Sequence, residues 1–283
     1  MPQTRELTER IAQTAIAAAR AAGKIQADQA GSSLQVDRKM AYDVKLEVDR
    51  LSEKAIVSKI RNDFPQHDIL AEEAGETPAA GEYRWIIDPL DGTVNYFYGL
   101  PYYCTSISCF RAPALDHGQV ESFEHLGQPV AGVVYCAATD ELFLATEDGP
   151  CLLNGSQVTA SSVETLAEAL VVVGYGNTES ARNGLARATN ILAGRVRKIR
   201  CLGAAAYDLA NVAAGRVSVF FEKGLRTWDI AAGGLLVQQA GGVFRATQYA
   251  PTSWRVFAAG PKVSQEAYRE FLTATEWDDP TGL

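Results

Sequence analysis

Along residues 6–29 apolar side chains recur at Leu7, Ile11, Ala15, Ala18, Ala22 and Ile25, steps of three or four that lay one stripe along an alanine-rich helix. That helix reads as scaffold. A second helix follows Asp49, with Leu51, Ala55, Ile56 and Ile60 on one face. It stops at Phe64-Pro65 because proline disfavours helical backbone in the residue before it. From Trp85 to Leu144 the pattern is strand-like, with runs at Trp85–Ile87, Thr105–Phe110, Val130–Tyr135 and Glu141–Ala145 separated by turn-formers. Between the second and third runs, the polar stretch from Ala112 to Pro129 reads as a long hairpin loop. The first half is thus expected to be a sheet covered by two helices.

After Asn154-Gly155 the texture changes to strand–helix alternation. Strands are expected at Ala169–Val173, Arg197–Cys201 and Val217–Phe221, and helices from about Asn177 to Ala193 and from Ala204 to Ala214. Such alternation suggests a more parallel second sheet. A helix from Asp229 to Ala240 ends at Gly241-Gly242, and Val243–Arg245, Val256–Ala259 and a helix after Ser264 follow. No linker, repeat or low-complexity segment interrupts the chain, so halves 1–155 and 156–283 are expected to form one compact unit.

With 283 residues, 47% of them apolar, the chain can bury a sizeable core. Its 34 acidic and 26 basic residues give a formal charge of −8, and no Lys/Arg block interleaves with aromatics, so no nucleic-acid groove is indicated. An anionic substrate would then need cations or backbone dipoles to bind. The five cysteines, Cys104, Cys109, Cys136, Cys151 and Cys201, are odd in number and without C-x-x-C spacing, which argues for reduced, mostly buried thiols. No apolar run approaches the roughly 18 residues of a membrane span, and the start lacks a secretory pattern. The protein is expected in the cytoplasm.

The chemistry concentrates in Trp85-Ile86-Ile87-Asp88-Pro89-Leu90-Asp91-Gly92-Thr93, where an apolar strand feeds two carboxylates into a Gly-Thr turn. Proline fixes the backbone after the first acid, and glycine permits a tight turn, so Asp88 and Asp91 can converge. The Leu90 carbonyl is a further candidate oxygen. A helix beginning at Gly92-Thr93 would turn free N–H groups toward a phosphate. Upstream, Glu72-Glu73 leaves the apolar Ile69-Leu70-Ala71, so that one glutamate can face a cavity and the other water. Downstream, Asp229 follows Trp228 at the head of a helix, where an N-cap aspartate is also expected. Together Glu72, Asp88, Asp91 and Asp229 can build an oxygen-only site for two or more hard divalent metals.

Other positions stay open. Asp49 is either a helix-capping acid or a partner of the Thr93 hydroxyl. Glu222 is either surface or a hydrogen-bond partner of a polyol. Gly203-Ala204-Ala205 is either a close-packed helix start or a ligand contact. The three histidines, His67, His117 and His125, lie in loop-like polar surroundings near no plausible nucleophile, and there is no P-loop ending in Lys-Ser/Thr.

These residues resemble the inositol monophosphatase family over nearly the whole chain. Its four signatures appear in order: Asp43 through Asp49, Glu72-Glu73, Trp85 through Thr93, and Glu222 through Asp229. The resemblance implies a layered α/β/α/β/α sandwich of the inositol monophosphatase and sugar phosphatase type. It also implies a homodimer and a Mg²⁺-dependent phosphomonoesterase site holding two or three ions. Carried over, Glu72, Asp88 and the Leu90 carbonyl would hold one Mg²⁺, Asp88, Asp91 and Asp229 a second, and Glu72 a third through water. Thr93, supported by Asp49, would orient the attacking water. Gly92 and Thr93 would contact the phosphate, and Glu222 with Gly203, Ala204 and Ala205 the alcohol portion. The family's active-site lysine falls nearest Arg38 or Lys39.

The expected substrate is a small polyol phosphate, myo-inositol 1-phosphate foremost. Histidinol phosphate and sugar bisphosphates are rivals, and a protein-binding role in a transcription complex is the alternative of another class. Five mutually repelling carboxylates argue against a purely non-catalytic protein.

Overall fold

The computed structural model describes residues 2–31, 36–39, 44–77, 81–111, 123–176 and 178–275. The alanine stripe makes α1 (Pro2–Gln29). Ile11, Ala15, Ala18 and Ala22 are buried, and their small size lets the helix lie close to the sheet below. After the short antiparallel pair β1 (Val36–Lys39) and β2 (Val44–Leu46) comes α2 (Glu47–Asp63), which ends before Phe64-Pro65 as expected. Its inward face differs from the expected one. Ile56 and Ile60 are buried, but so are Asp49, Ser52 and Glu53, whereas Leu51 and Ala55 are half-exposed. A helix that buries two acids on its inward face points them at something polar.

The first large sheet gathers β3 (Asp68–Ala71), β4 (Gly75–Thr77), β5 (Tyr83–Asp91), β6 (Cys104–Arg111), β7 (Gln128–Cys136), β8 (Glu141–Thr146), β9 (Leu152–Leu153) and β10 (Ser156–Gln157). Its order is β10-β9-β8-β7-β6-β5-β3-β4, antiparallel except where β3 lies parallel to β5. A short α3 (Thr93–Phe97) follows β5. Of the expected 112–129 hairpin loop, residues 112–122 lie outside the described residues. The rest is more ordered than a polar loop: Phe123 is buried edge-on against Phe110, and Gln128 and Pro129 already belong to β7.

The second half supplies β11 (Leu170–Val173), α4 (Glu179–Leu192), β12 (Lys198–Arg200), α5 (Ala205–Ala213), β13 (Val219–Leu225), α6 (Thr227–Gln239), β14 (Val243–Ala250), β15 (Ser253–Ala259) and α7 (Ser264–Thr275). Its sheet runs β12-β11-β13-β15-β14. The parallel expectation holds for β12, β11 and β13, which are linked by helices. It fails for β14 and β15, which form an antiparallel hairpin and pair with β13 in the antiparallel sense.

Three apolar clusters stack these pieces into an α/β/α/β/α sandwich. One joins α1 and α2 to Trp85, Ile87, Ile107 and Val133 on the outer face of the first sheet. The largest fills the middle, where α5 and α6 lie between Ile86, Cys104 and Val134 on one side and Val172, Phe220 and Trp254 on the other. The third seats α4 and α7 on Val171, Phe221 and Phe257. The middle contact is close: a Cβ added at Gly132 on β7 would meet the backbone oxygen of Ala232 on α6 at 3.1 Å.

His67 departs from the expected polar loop surroundings. It is half-buried, stacks at 4.6 Å on Phe64 and 5.0 Å on Tyr83, and accepts the Trp85 indole N–H on Nδ1 at 3.1 Å. Burial and the nearby Arg61 guanidinium push its pKa down to about 4.

Two outcomes are expected. Gly132→Val forces the first sheet away from α6 and should cost about 1–3 kcal/mol, seen as a lower urea midpoint at unchanged slope. His67 is neutral in the fold and titrates near 6.5 when unfolded, so its contribution is complete above pH 6.5 and lost as pH falls toward 4. Urea unfolding across that window should show His67→Phe losing less stability than the wild type.

Candidate active site

In a regular strand, residues three apart point to opposite faces. Asp88 and Asp91 escape this through a β-bulge. Across β5 and β6, Asp88 stands opposite Ser106 and Asp91 opposite Cys104, so Pro89 and Leu90 face the single Thr105. The extra residue returns Asp91 to the face of Asp88, which is the face Ile86 turns toward α5 and α6. Proline is tolerated there because a bulge needs no ladder donor from it. The turn is closed by the Leu90 N–H donating to Asp88 Oδ1 at 3.0 Å, then by Gly92 in left-handed backbone with φ +84°.

Neighbouring elements deliver the other acids. Glu72 leaves the end of β3, which runs parallel to β5 with Ala71 beside Ile87, so the next pair would be Glu72 beside Asp88; the Glu72 N–H donates to Ile87 O at 3.2 Å. Glu73 faces solvent, as expected of the second glutamate. Asp229 arrives on α6. It is not the N-cap: the helix starts at Thr227, and Asp229 in its first turn accepts the Arg226 N–H on Oδ2 at 2.7 Å. The carboxylate thereby closes its own helix's first turn and is held rigid, a role normally paired with an N-cap hydroxyl. Ser106 Oγ donates to Trp228 O at 3.2 Å, fixing α6 to the bulged strand pair.

Asp49 fills both of its alternative roles. Oδ2 accepts the Leu46 N–H at 2.6 Å, while Oδ1 lies 3.3 Å from the Thr93 hydroxyl, itself 2.9 Å from Leu90 O. Opposite the turn, Gly203 adopts φ +83°, Ala204 caps α5 and Ala205 begins it. They reach the site: a Cβ on Gly92 would stand 3.0 Å from Ala204 Cβ, and the Ala206 N–H donates to Asp91 Oδ2 at 2.7 Å. Glu222 on β13 turns inward over Gly174, where a Cβ would come within 1.8 Å of its Oε2. It is turned toward Asp208, Asp229 and Asp91, whose charges add to burial in raising its pKa, and not toward the outer surface.

The electrostatics are those of a crowded set of carboxylates. Burial, then the charges of Glu72, Asp91 and Asp229, push Asp88 far above the ordinary carboxylate range. Asp91 is raised to about 7, burial outweighing the Ala206 N–H that holds it down. Asp229 and Glu222 are also raised, by burial first and by their acidic neighbours next. Among the described residues no three His, Cys, Asp or Glu side chains already close on one point at metal-ligand spacing. Asp91 and Asp229 each commit an oxygen to a backbone N–H. The donor chemistry still fits a hard divalent cation: carboxylates and a carbonyl, whose ionised forms a cation between them would favour.

Several functional residues escaped the sequence reading. Glu53, one turn beyond Asp49, accepts the Glu73 and Ala74 N–H groups at 2.8 and 2.9 Å and so shapes the turn that carries Glu72. Asp208 is buried with the Tyr102 hydroxyl at 2.6 Å, and burial raises it to about 8. Asn95 Nδ2 donates to Tyr102 O and Leu202 O, both at 2.8 Å, and ties the 203–205 segment to α3. The Asn95 amide carried one weak signal, a polar side chain beside a functional turn; the other two had none. The side chains of Arg38 and Lys39, like Asp43, lie outside the described residues.

The family model of the inositol monophosphatase family matches residues 7–276. The chain belongs to the inositol monophosphatase family, and it is a phosphatase enzyme. A "Nus factor SuhB" of Pseudomonas aeruginosa is 38% identical over 237 residues, covering 81% of this chain and 82% of the relative. An "Inositol monophosphatase" of Dictyostelium discoideum is 35% identical, covering 75% of each chain. Among solved structures, the extragenic suppressor protein suhB of Bartonella henselae superimposes with a TM-score of 0.81 at 29% identity, covering 92% of this chain and 97% of that one. The inositol monophosphatase of Anabaena (Nostoc) does so with a TM-score of 0.77 at 30% identity, covering 93% and 95%.

Replacing Asn95 with alanine leaves two part-buried carbonyls without this donor, a cost of about 1 kcal/mol in stability. Because it loosens the 203–205 segment, which the family resemblance implies contacts the alcohol, KM for a phosphate ester should rise roughly tenfold with kcat little changed. Steady-state kinetics and urea unfolding of Asn95→Ala check both.

Proposed function

We propose that this phosphatase hydrolyses a small polyol phosphate, most specifically myo-inositol 1-phosphate, by in-line attack of water at a Mg²⁺ site of two or three ions. The observation that carries this reading is the approach of Glu72, Asp91 and Asp229 to the buried Asp88 across a bulged strand. Glu72, Asp88 and Leu90 O would hold one ion; Asp88, Asp91 and Asp229 the second; Glu72 would help with a third. Bound Mg²⁺ would make water nucleophilic at neutral pH and neutralise charge on the phosphoryl group.

The chain's own residues do the positioning. The Thr93 hydroxyl has one proton, which it donates to Asp49 or Leu90 O, so its lone pairs are left to accept a hydrogen bond from water and orient it. Gly92 and Thr93 contribute backbone N–H groups to the phosphate oxygens. Glu222, with Gly203, Ala204 and Ala205, meets the hydroxyls of the alcohol, and the inward set of Glu222 supports a polyol. Histidinol phosphate and sugar bisphosphates present the same phosphate to the same metals and differ only at this alcohol side. No helix among the described residues is long and apolar enough to cross a membrane. Five free cysteines, four of them buried, agree with a reducing, cytoplasmic setting. A homodimer is inferred from the family resemblance alone.

A second reading is favoured by the relatives named Nus factor, namely a protein-binding role in a transcription complex alongside catalysis. The carboxylate set keeps it secondary.

A panel of phosphate esters with and without Mg²⁺ tests the proposal. Turnover should require the metal and be most efficient on myo-inositol 1-phosphate. Asp88→Asn and Asp229→Asn should each lower kcat/KM roughly 100-fold or more. Undiminished activity in both variants would overturn the assignment.

A further inference from the structure

The bulge that unites Asp88 and Asp91 carries an unusual support. Pro89 O, on the bulged segment, accepts the side-chain amide of Gln26 at 2.8 Å and the Thr105 hydroxyl at 3.0 Å; the same Gln26 Nε2 also donates to Thr105 Oγ1 at 2.9 Å. Both side chains are fully buried. Gln26 lies near the end of α1, in a helix whose other buried residues are Ile11, five alanines, Gly23 and Thr14, the last bonded to Asp63. Among the described residues its Oε1 is buried without a hydrogen-bond partner, a cost that a leucine or methionine there would not carry. Packing alone therefore does not account for glutamine at this position. Its two amide protons do.

The Pro89 carbonyl and the Leu90 N–H belong to one rigid trans peptide and point in opposite directions. With the carbonyl held by Gln26, the N–H is aimed at Asp88 Oδ1, 3.0 Å away. The Leu90 carbonyl, one peptide further on, faces the Thr93 hydroxyl at 2.9 Å. The Gln26 backbone oxygen in turn accepts the Tyr96 hydroxyl at 2.7 Å, which ties α3, and with it Thr93, to the same turn of α1. We propose that Gln26 is a positioning residue of the metal site, locking the Pro89–Leu90 peptide plane so that the Asp88 carboxylate and the Leu90 carbonyl present their oxygens together. The proposal rests on the Mg²⁺ reading above. It also makes α1 more than scaffold.

The test is Mg²⁺ binding by calorimetry on the purified protein, together with the midpoint of thermal unfolding without metal. Gln26→Met keeps the shape and removes both donors and the orphaned oxygen. It should weaken Mg²⁺ binding by roughly 10- to 100-fold, as loss of partners behind metal ligands does, while the metal-free unfolding midpoint stays level or rises. Thr105→Val removes the other donor to Pro89 O and should weaken binding in the same direction; it carries the test should Gln26→Met not fold. Ile11→Val, a packing change on the same helix, should lower the unfolding midpoint and leave Mg²⁺ affinity alone. Wild-type affinity in Gln26→Met, or in Thr105→Val as its stand-in, overturns the inference. A wild-type protein that binds no Mg²⁺ overturns the metal reading beneath it, a different and distinguishable outcome.

Discussion

One extra residue in β5 decides what this molecule can do. Without the bulge, Asp88 would share a face with Asp91 only by breaking the strand, since an interval of three places side chains on opposite sides of the sheet. With it, both point toward the helices that separate the two sheets, and β3 need only end and α6 begin in the right places to add Glu72 and Asp229. The rest of the fold serves that convergence. α1 and α2 hold the bulge from the outer face through Gln26 and, by way of Thr93, Asp49; α5 and α6 meet it from the inner face through the Ala206 N–H and the Trp228 carbonyl.

Such a site works against stability. Buried carboxylates near one another disfavour ionisation and raise each other's pKa, so the metal-free protein holds several groups in states they would not choose in water. The three apolar clusters, with tryptophans at Trp85 and Trp254 fully buried, supply the offset. Backbone N–H groups soften the cost where they reach: Ala206 for Asp91, Arg226 for Asp229, Leu90 for Asp88. Each is also a constraint on direction, so the bonds that lower the electrostatic cost aim the oxygens as well.

Much of the fold was legible in the sequence because it is written in periodicity. The stripe of α1, the proline stop of α2, the strand into Asp88 and the helix–strand alternation after Asn154 all reappear within a few residues. The paired acids and the Gly-Thr turn marked the site for the same reason, being local. What escaped was long-range. Glu53 and Gln26 act on backbone 20 and 63 residues away in the chain, and nothing in a helix stripe says that one of its polar positions faces a carbonyl rather than water. Asp208 was hidden by its place in an apolar helix. The hairpin of β14 and β15 turned the second sheet partly antiparallel because, with only a short turn between the strands, no crossover helix could fit.

The active site is also the seam between the two sheets, and this links the chemistry to the assembly of the chain. Asp88 and Asp91 belong to the first sheet, while Asp229 sits on the helix that enters the middle layer from the last strand before it, and Glu222 lies on that strand. Carboxyl groups brought from both sides of a seam either repel when ionised or lose their hydration when neutral, yet Gly132 against Ala232 shows the layers in near-backbone contact there. Apolar packing of the middle cluster must therefore overcome a local cost of burying these groups together. A divalent cation between the carboxylates would favour their ionised forms and turn that cost into attraction. Metal affinity and the closeness of the two layers are then one property, since ligands supplied from both sides must be held at fixed separation before an ion can be bound at all.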